Sequence, residues 1–155
     1  MIRLSDSVAI RVPPSRLRAW LETLPEHYMQ WHPDHISASW VKGEAFVPGA
    51  QMEIVERLHG KRHCLHLTVT TVEVQRKLCY RIYRGVYGSF ELQPENGGCR
   101  FTASIELGLH NPLLAGMIDG LFRRLFSSRI EALRLHQIEE GRNLKRLLEA
   151  ESLEV

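Results

Sequence analysis

Residues 51–72 read QMEIVERLHGKRHCLHLTVTTV. Apolar and polar residues alternate through both halves, the period of a half-buried strand. His59-Gly60 breaks the run, so a hairpin is expected there. The same signal extends outward. Strands are expected over 36–41, 51–58, 62–72, 77–84, 88–92 and 100–107, divided by Lys42-Gly43, Pro48-Gly49, His59-Gly60, Gly85 and 94–98. Such close spacing predicts an antiparallel meander. Upstream, VAIRV (8–12) reads as a short strand stopped by Pro13-Pro14. Leu17, Trp20, Leu21 and Leu24 then fall at helical spacing, and Pro25 starts a second short turn through Tyr28 and Met29. Residues 30–35, QWHPDH, are turn-like because Pro33 biases His32 away from the helical region. Downstream, Asn111-Pro112 is a cap followed by proline at the first helical position, opening a helix to about Glu151. The order predicts an α+β fold, a curved antiparallel sheet with one long amphipathic helix on its concave face.

A length of 155 residues suits a single domain, 1–155. Twenty Lys and Arg against eighteen Asp and Glu leave a net charge of +2. That near-balance argues against a nucleic-acid partner held by a phosphate footprint. No segment approaches the roughly 18 apolar residues of a membrane span, and the first fifteen residues lack a signal-peptide core. Neither membrane insertion nor export is therefore expected, and the cytoplasm is the default location. Cys64, Cys79 and Cys99 are odd in number and lack a C-x-x-C spacing, which excludes a disulfide framework and a cysteine zinc site. Eight histidines are the compositional oddity. Gly116 and Gly120 form G-x-x-x-G, which marks close packing or a helix start more often than a dimer contact and leaves a homodimer open.

The order of elements resembles the helix-grip architecture of the START and Bet v 1-like superfamily. That resemblance implies a cavity between sheet and helix and a small hydrophobic or aromatic ligand. Side-chain parity says what would face it. Met52, Ile54, Glu56 and Leu58 share the more apolar face of their strand, so Glu56 is a carboxylate pointing inward, where it needs a partner, a metal or a proton. His63 aligns with Leu65, Leu67 and Val69 and points the same way. On the final helix Ile118, Phe122, Phe126, Leu133, Leu144 and Leu147 share one sector with Arg129, His136 and Glu140. Taken singly, each polar misfit is more often a satisfied core group or a helix ion pair than a ligand. Together, His136 and Glu140 one helical turn apart, Glu56 from the sheet and an imidazole from the loop holding His32 and His35 make a credible divalent-metal set. Parity does not choose between His32 and His35. Glu139 and Glu53 fit the apolar faces less well than Glu140 and Glu56.

Three stretches, YMQWHPDH, GAQMEIVER and HQIEEGRNLK, resemble the zinc-dependent 2,4-diacetylphloroglucinol hydrolases, enzymes that cleave the carbon–carbon bond between an acyl group and a phenolic ring. The resemblance implies Zn²⁺, or another divalent metal, held by His35, Glu56, His136 and Glu140. It also implies a catalytic phenol at Tyr28. Cleavage needs a proton for the departing ring carbon, for which Tyr28 and His63 come first and Tyr80 and Tyr83 follow. Leu65, Leu67, Tyr80, Phe90, Phe101, Ile105, Phe122 and Arg129 are the expected pocket wall. Two other functions fit the same residues: a non-catalytic carrier of a hydrophobic small molecule, and a metal-free polyketide cyclase or aromatase-like enzyme.

Overall fold

The expected hairpin forms. Strand β3 (Gln51–Leu58) pairs antiparallel with β4 (Lys61–Glu73), from Gln51 opposite Thr68 to Leu58 opposite Lys61. Its two-residue turn places His59 at φ 53° and Gly60 at φ 72°. Positive φ at both positions matches the twist of the flanking strands, and glycine takes it without steric cost. The computed structural model describes residues 1–108 and 115–154, apart from the side chains of residues 115, 118 and 122. The expected cap at Asn111-Pro112 and the side chains of Ile118 and Phe122 lie outside the described residues.

The remaining elements are β1 (Ile2–Ile10), α1 (Pro14–Glu22), α2 (Leu24–Trp31), β2 (His35–Lys42), β5 (Lys77–Tyr83), β6 (Val86–Glu95), β7 (Gly98–Leu107) and α3 (Ala115–Leu153). Among the described residues seven strands form one antiparallel sheet in the order β1-β7-β6-β5-β4-β3-β2. The meander runs from β2 to β7, and β1 closes it beside β7. The sheet curves around α3 in a helix-grip arrangement, as the order of elements predicts.

Strand β1 starts well before the expected 8–12. Ile2, Leu4 and Ile10 are buried on its inner face, with Asp6 and Val8 half-buried between them. Polar Ser5, Asp6 and Ser7 disguise this alternation in the sequence. Their hydroxyls pair across strands instead, Ser5 with Ser104 at 2.9 Å and Ser7 with Thr102 at 2.7 Å. The predicted stripe of Leu17, Trp20, Leu21 and Leu24 is buried, and Tyr28 joins it in the core; Trp31, expected in a turn, ends α2 and is buried there too, while Met29 is exposed.

Helix α3 departs from one continuous apolar stripe. It kinks at Phe126 (φ −120°, ψ 19°), beside the serine pair Ser127-Ser128, a sequence at which helices commonly bend. Before the kink Met117, Leu121 and Leu125 are exposed. After it Leu144 and Leu148 are fully buried. Gly141 is buried too, and a Cβ there would stand 3.3 Å from Asp6 Oδ2 of β1. The missing side chain brings the helix close to the sheet edge, next to Glu140. No helix among the described residues is long and apolar enough to cross a membrane.

Candidate metal and ligand site

Sheet register builds one half of the site. His35, the first residue of β2, pairs with Glu56 of β3, and Glu56 pairs with His63 of β4. Cross-strand partners share a face, so the three side chains lie in a row. The turn before β2 is pinned at both ends: His35 N–H donates to the His32 carbonyl at 3.1 Å, and Arg57 N–H donates to the Asp34 carbonyl at 2.8 Å. Helix α3 supplies the other half, with His136 and Glu140 one turn apart. Trp31 Nε1–H donates to the Glu140 carbonyl at 2.9 Å and ties α2 to that turn.

Four groups converge. His35 Nε2 lies 2.8 Å from Glu140 Oε1 and 4.0 Å from Glu56 Oε2, and His136 Nε2 lies 3.3 Å from Glu140 Oε1. The Tyr28 ring stacks on the His35 imidazole at 3.9 Å and 4°, and its hydroxyl donates to Glu56 Oε2 at 2.9 Å. His32 is buried as well. Ring nitrogens of His32, His35 and His136 all lie within 4.8 Å of one another.

Hydrogen bonding separates these imidazoles. His35 Nδ1 faces the Tyr28 carbonyl at 2.9 Å, and a carbonyl only accepts, so Nδ1 carries the proton. Nε2 then offers its lone pair, yet it faces a carboxylate oxygen at contact distance. Two lone pairs tolerate that approach only with a proton or a cation between them. His136 Nε2 is buried and has no hydrogen-bond partner among the described residues, since its contact with Glu140 is poorly aligned. His32 is committed: Nδ1 accepts from Asp34 N–H at 3.0 Å, so Nε2 carries the proton facing Glu139 Oε2 at 2.6 Å. The free donor set is thus two imidazoles and two carboxylates. Tetrahedral zinc with bonds of about 2.0–2.1 Å places its ligand atoms about 3.3 Å apart, and three of the six separations in this set are 2.8, 3.3 and 4.0 Å. Imidazoles and carboxylates clustered in this way could hold a divalent cation.

Electrostatics agree. Burial pushes the Glu140 carboxyl up, but contacts with His136 and His35 outweigh it and hold the group at about 2, below its ordinary 4.5. Burial works to lower the His136 imidazole, and the carboxylates of Glu140, Glu56 and Asp34 win, raising it above 6.5. Burial, then Glu56 and Glu140, push the Tyr28 hydroxyl far up, so it remains a neutral donor. The lowered carboxyl adds stability above pH 4.5 that is lost as pH falls towards 2, and the raised imidazole adds stability below pH 6.5 that is lost as pH rises through its folded value. Metal-free protein is therefore expected to be most stable between these limits, which urea unfolding across pH measures. Zinc affinity is expected to rise with pH across the same range, because coordination displaces protons.

An inner cavity of about 90 Å³ lies between the sheet and α3. Leu65, Leu67, Tyr80, Phe90 and Ile105 line it, and Tyr28, Glu56, His136, Gln137 and Glu140 form its polar side. The Tyr80 ring lies over Gly88 of β6, where a Cβ would stand 2.2 Å from its Cζ. An outer cleft of about 680 Å³ runs past Asp34, Leu58, His63 and Glu139, and Leu133 and His136 border both spaces. Drug-sized ligands need about 300–1,000 Å³. A ring enters the inner cavity only if the rest of the molecule occupies the cleft or the wall moves.

Four expected wall and catalytic positions lie away from the inner cavity. Phe101 faces inward but packs fully buried in the core, 5.5 Å from the Phe90 ring, and the cavity lies further along β7 at Ala103 and Ile105. Arg129 keeps the phase of His136 but sits almost two turns before it, exposed in the outer cleft with its guanidinium 5.5 Å from the Phe126 ring. It meets neither Glu56 nor Glu140. His63 is half-buried in the outer cleft rather than in the inner cavity. Tyr83 is exposed. Sequence reasoning missed Gln137, a polar residue next to His136, and the pairing of Glu139 with His32. Both were hidden because a helical wheel gives phase and not partner.

Fold and site define a helix-grip protein with a polar cluster at one end of an apolar cavity. The family described as "Polyketide cyclase / dehydrase and lipid transport" matches residues 1–140, and the chain belongs to it. None of the curated proteins matches the chain in sequence. Among solved structures it is similar to TTHA0849 from Thermus thermophilus (17% identity, TM-score 0.72, covering 97% of this chain and 99% of that one). It is also similar to the Polyketide_cyc-like protein Cgl2372 from Corynebacterium glutamicum (21%, 0.60, 96% and 92%) and to major latex-like protein 151 from Panax ginseng (11%, 0.67, 94% and 95%). At these identities the likeness is one of fold.

Proposed function

We propose that the protein binds a small hydrophobic or aromatic molecule between sheet and α3, with a divalent cation at the polar end of that pocket. The family, whose description includes lipid transport, supports the binding role. The observation that carries the cation is His136 Nε2, buried and unpartnered beside a carboxylate. His35, His136, Glu140 and Glu56 would hold the ion, with His32 and Glu139 bracing the loop against α3. Zinc titration of the untagged, chelator-treated Cys64→Ser variant, which lacks the thiol of a second candidate group, tests this, with one equivalent taken up and a hydrophobic fluorescent probe displaced by small aromatic ketones. No uptake would leave a plain carrier.

A second reading, cleavage of a carbon–carbon bond next to a ring ketone, is favoured by one observation. Tyr28 is a neutral phenol donating to Glu56 beside the same cluster. In this reading water adds to the acyl carbon, the bond to the ring breaks, and the ring carbon takes a proton. A bound zinc ion would supply Lewis acidity and a water of lowered pKa. The chain supplies the rest: Tyr28 holds the proton, Glu56 accepts its hydrogen bond, and Leu65, Leu67 and Phe90 exclude bulk water. Release of carboxylic acid from a panel of acylated phenols would support it, and binding without release favours the carrier.

A further inference from the structure

We infer that Gln137 is a specificity-determining residue, whose amide accepts a hydrogen bond from a hydroxyl or N–H on the bound molecule. The inference rests on the ligand-binding role proposed above and names the chemistry of the ligand.

Gln137 follows His136 on α3 and is only 3% exposed. Its side chain lines the inner cavity, among Leu67, Tyr80 and Phe90. Among the described residues no protein group hydrogen-bonds to its Oε1, which is buried. A buried amide oxygen without a partner is costly, and such groups in folded proteins are nearly always satisfied. A cavity built only for hydrocarbon would carry leucine or methionine here, which fill the same space without a desolvated dipole. Glu140, Glu56 and Tyr28 do not meet the need, since Tyr28 already donates to Glu56 and a carboxylate has no hydrogen to give.

The ligand this side chain selects is therefore bifunctional. One end carries a carbonyl or anionic oxygen for the cation cluster. A second position carries a hydrogen-bond donor, set off by the step from His136 to Gln137, about 100° around the helix and 1.5 Å along it. Between them lies an apolar ring or chain. A site built to bind a donor rejects the analogue without it more strongly than a greasy pocket rejects an added hydroxyl.

Phenol and toluene test this, because they share shape and differ in the donor. Affinities are measured by calorimetry or ligand-observed NMR for wild type, Gln137→Leu and the isosteric Gln137→Met, as purified and after chelation. The phenol-to-toluene affinity ratio is expected to fall about tenfold in both variants, the worth of one buried hydrogen bond, with chelation leaving that change intact. Binding of both probes with an unchanged ratio would overturn the role of Gln137 and leave the pocket standing. Failure of both probes to bind any of the three proteins would sink the ligand-binding role and this inference with it.

Discussion

Replacing His136 with alanine is expected to weaken zinc binding by at least about 100-fold, beyond the roughly 10–100-fold that loss of an outer partner costs. Of the three clustered imidazoles, His136 alone has, among the described residues, a buried ring nitrogen without a hydrogen-bond partner. The same substitution at His32 should fall within the smaller range. Both of its ring nitrogens are committed, to Asp34 N–H and to Glu139, so it orients the loop rather than meeting the ion. Competition titration against a chelator of known affinity measures both variants, with circular dichroism as a check on folding. Equal losses would mean that the three imidazoles His32, His35 and His136 form the ligand set and that the hydrogen bonds of His32 rearrange on binding.

Replacing Leu144 with alanine is expected to cost about 2–5 kcal/mol, the range for a large-to-small change in a packed core. Leu144 is fully buried and sits one turn after Glu140. It packs in the same cluster as Ile10, Trp20 and Leu148, which binds the second half of α3 to β1 and α1. Losing it also loosens the helix that carries half the site, so zinc affinity should fall with stability. Leu121, exposed before the kink, should tolerate the same change with little loss. Urea unfolding of the two variants reads the contrast directly.

The fold was legible because the strands carry clean breaks. Gly60 and Gly85 sit at hairpin turns with positive φ, and the alternation around Met52 and Ile54 assigns β3's inner face. Glu56 stands out on that face for the same reason. His136 and Glu140 follow from helical phase, which a regular helix preserves over one turn. Register between β2 and β3 was not legible. Nothing in those two sequences says that His35 pairs with Glu56, because bulges between His35 and Ser37 and between Trp40 and Lys42 shift β2 against β3, whereas the two-residue turn at His59-Gly60 sets Glu56 opposite His63. Nor does parity give depth along a strand, which is why Phe101 sits in the core while Ile105 borders the cavity. The commitment of His32 depends on the Asp34 amide and on Glu139, which the helical phase gives only as a poorer fit to the apolar face than Glu140. The kink at Phe126 also escaped, since apolar residues continue at helical spacing on both sides of it.

Anomalous diffraction at the zinc edge, from crystals of a Cys64→Ser variant grown with Zn²⁺, tests the central claim most directly. That background removes the thiol of a second trio, half-buried Glu53 with exposed Cys64 and His66, whose ligand atoms lie within 4.8 Å of one another and which would otherwise compete for metal. The account predicts a peak between β2, β3 and α3, bonded to His35 Nε2, His136 Nε2, Glu140 and Glu56. Full occupancy elsewhere with no peak at that position, or His136 turned away from Glu140, would contradict it.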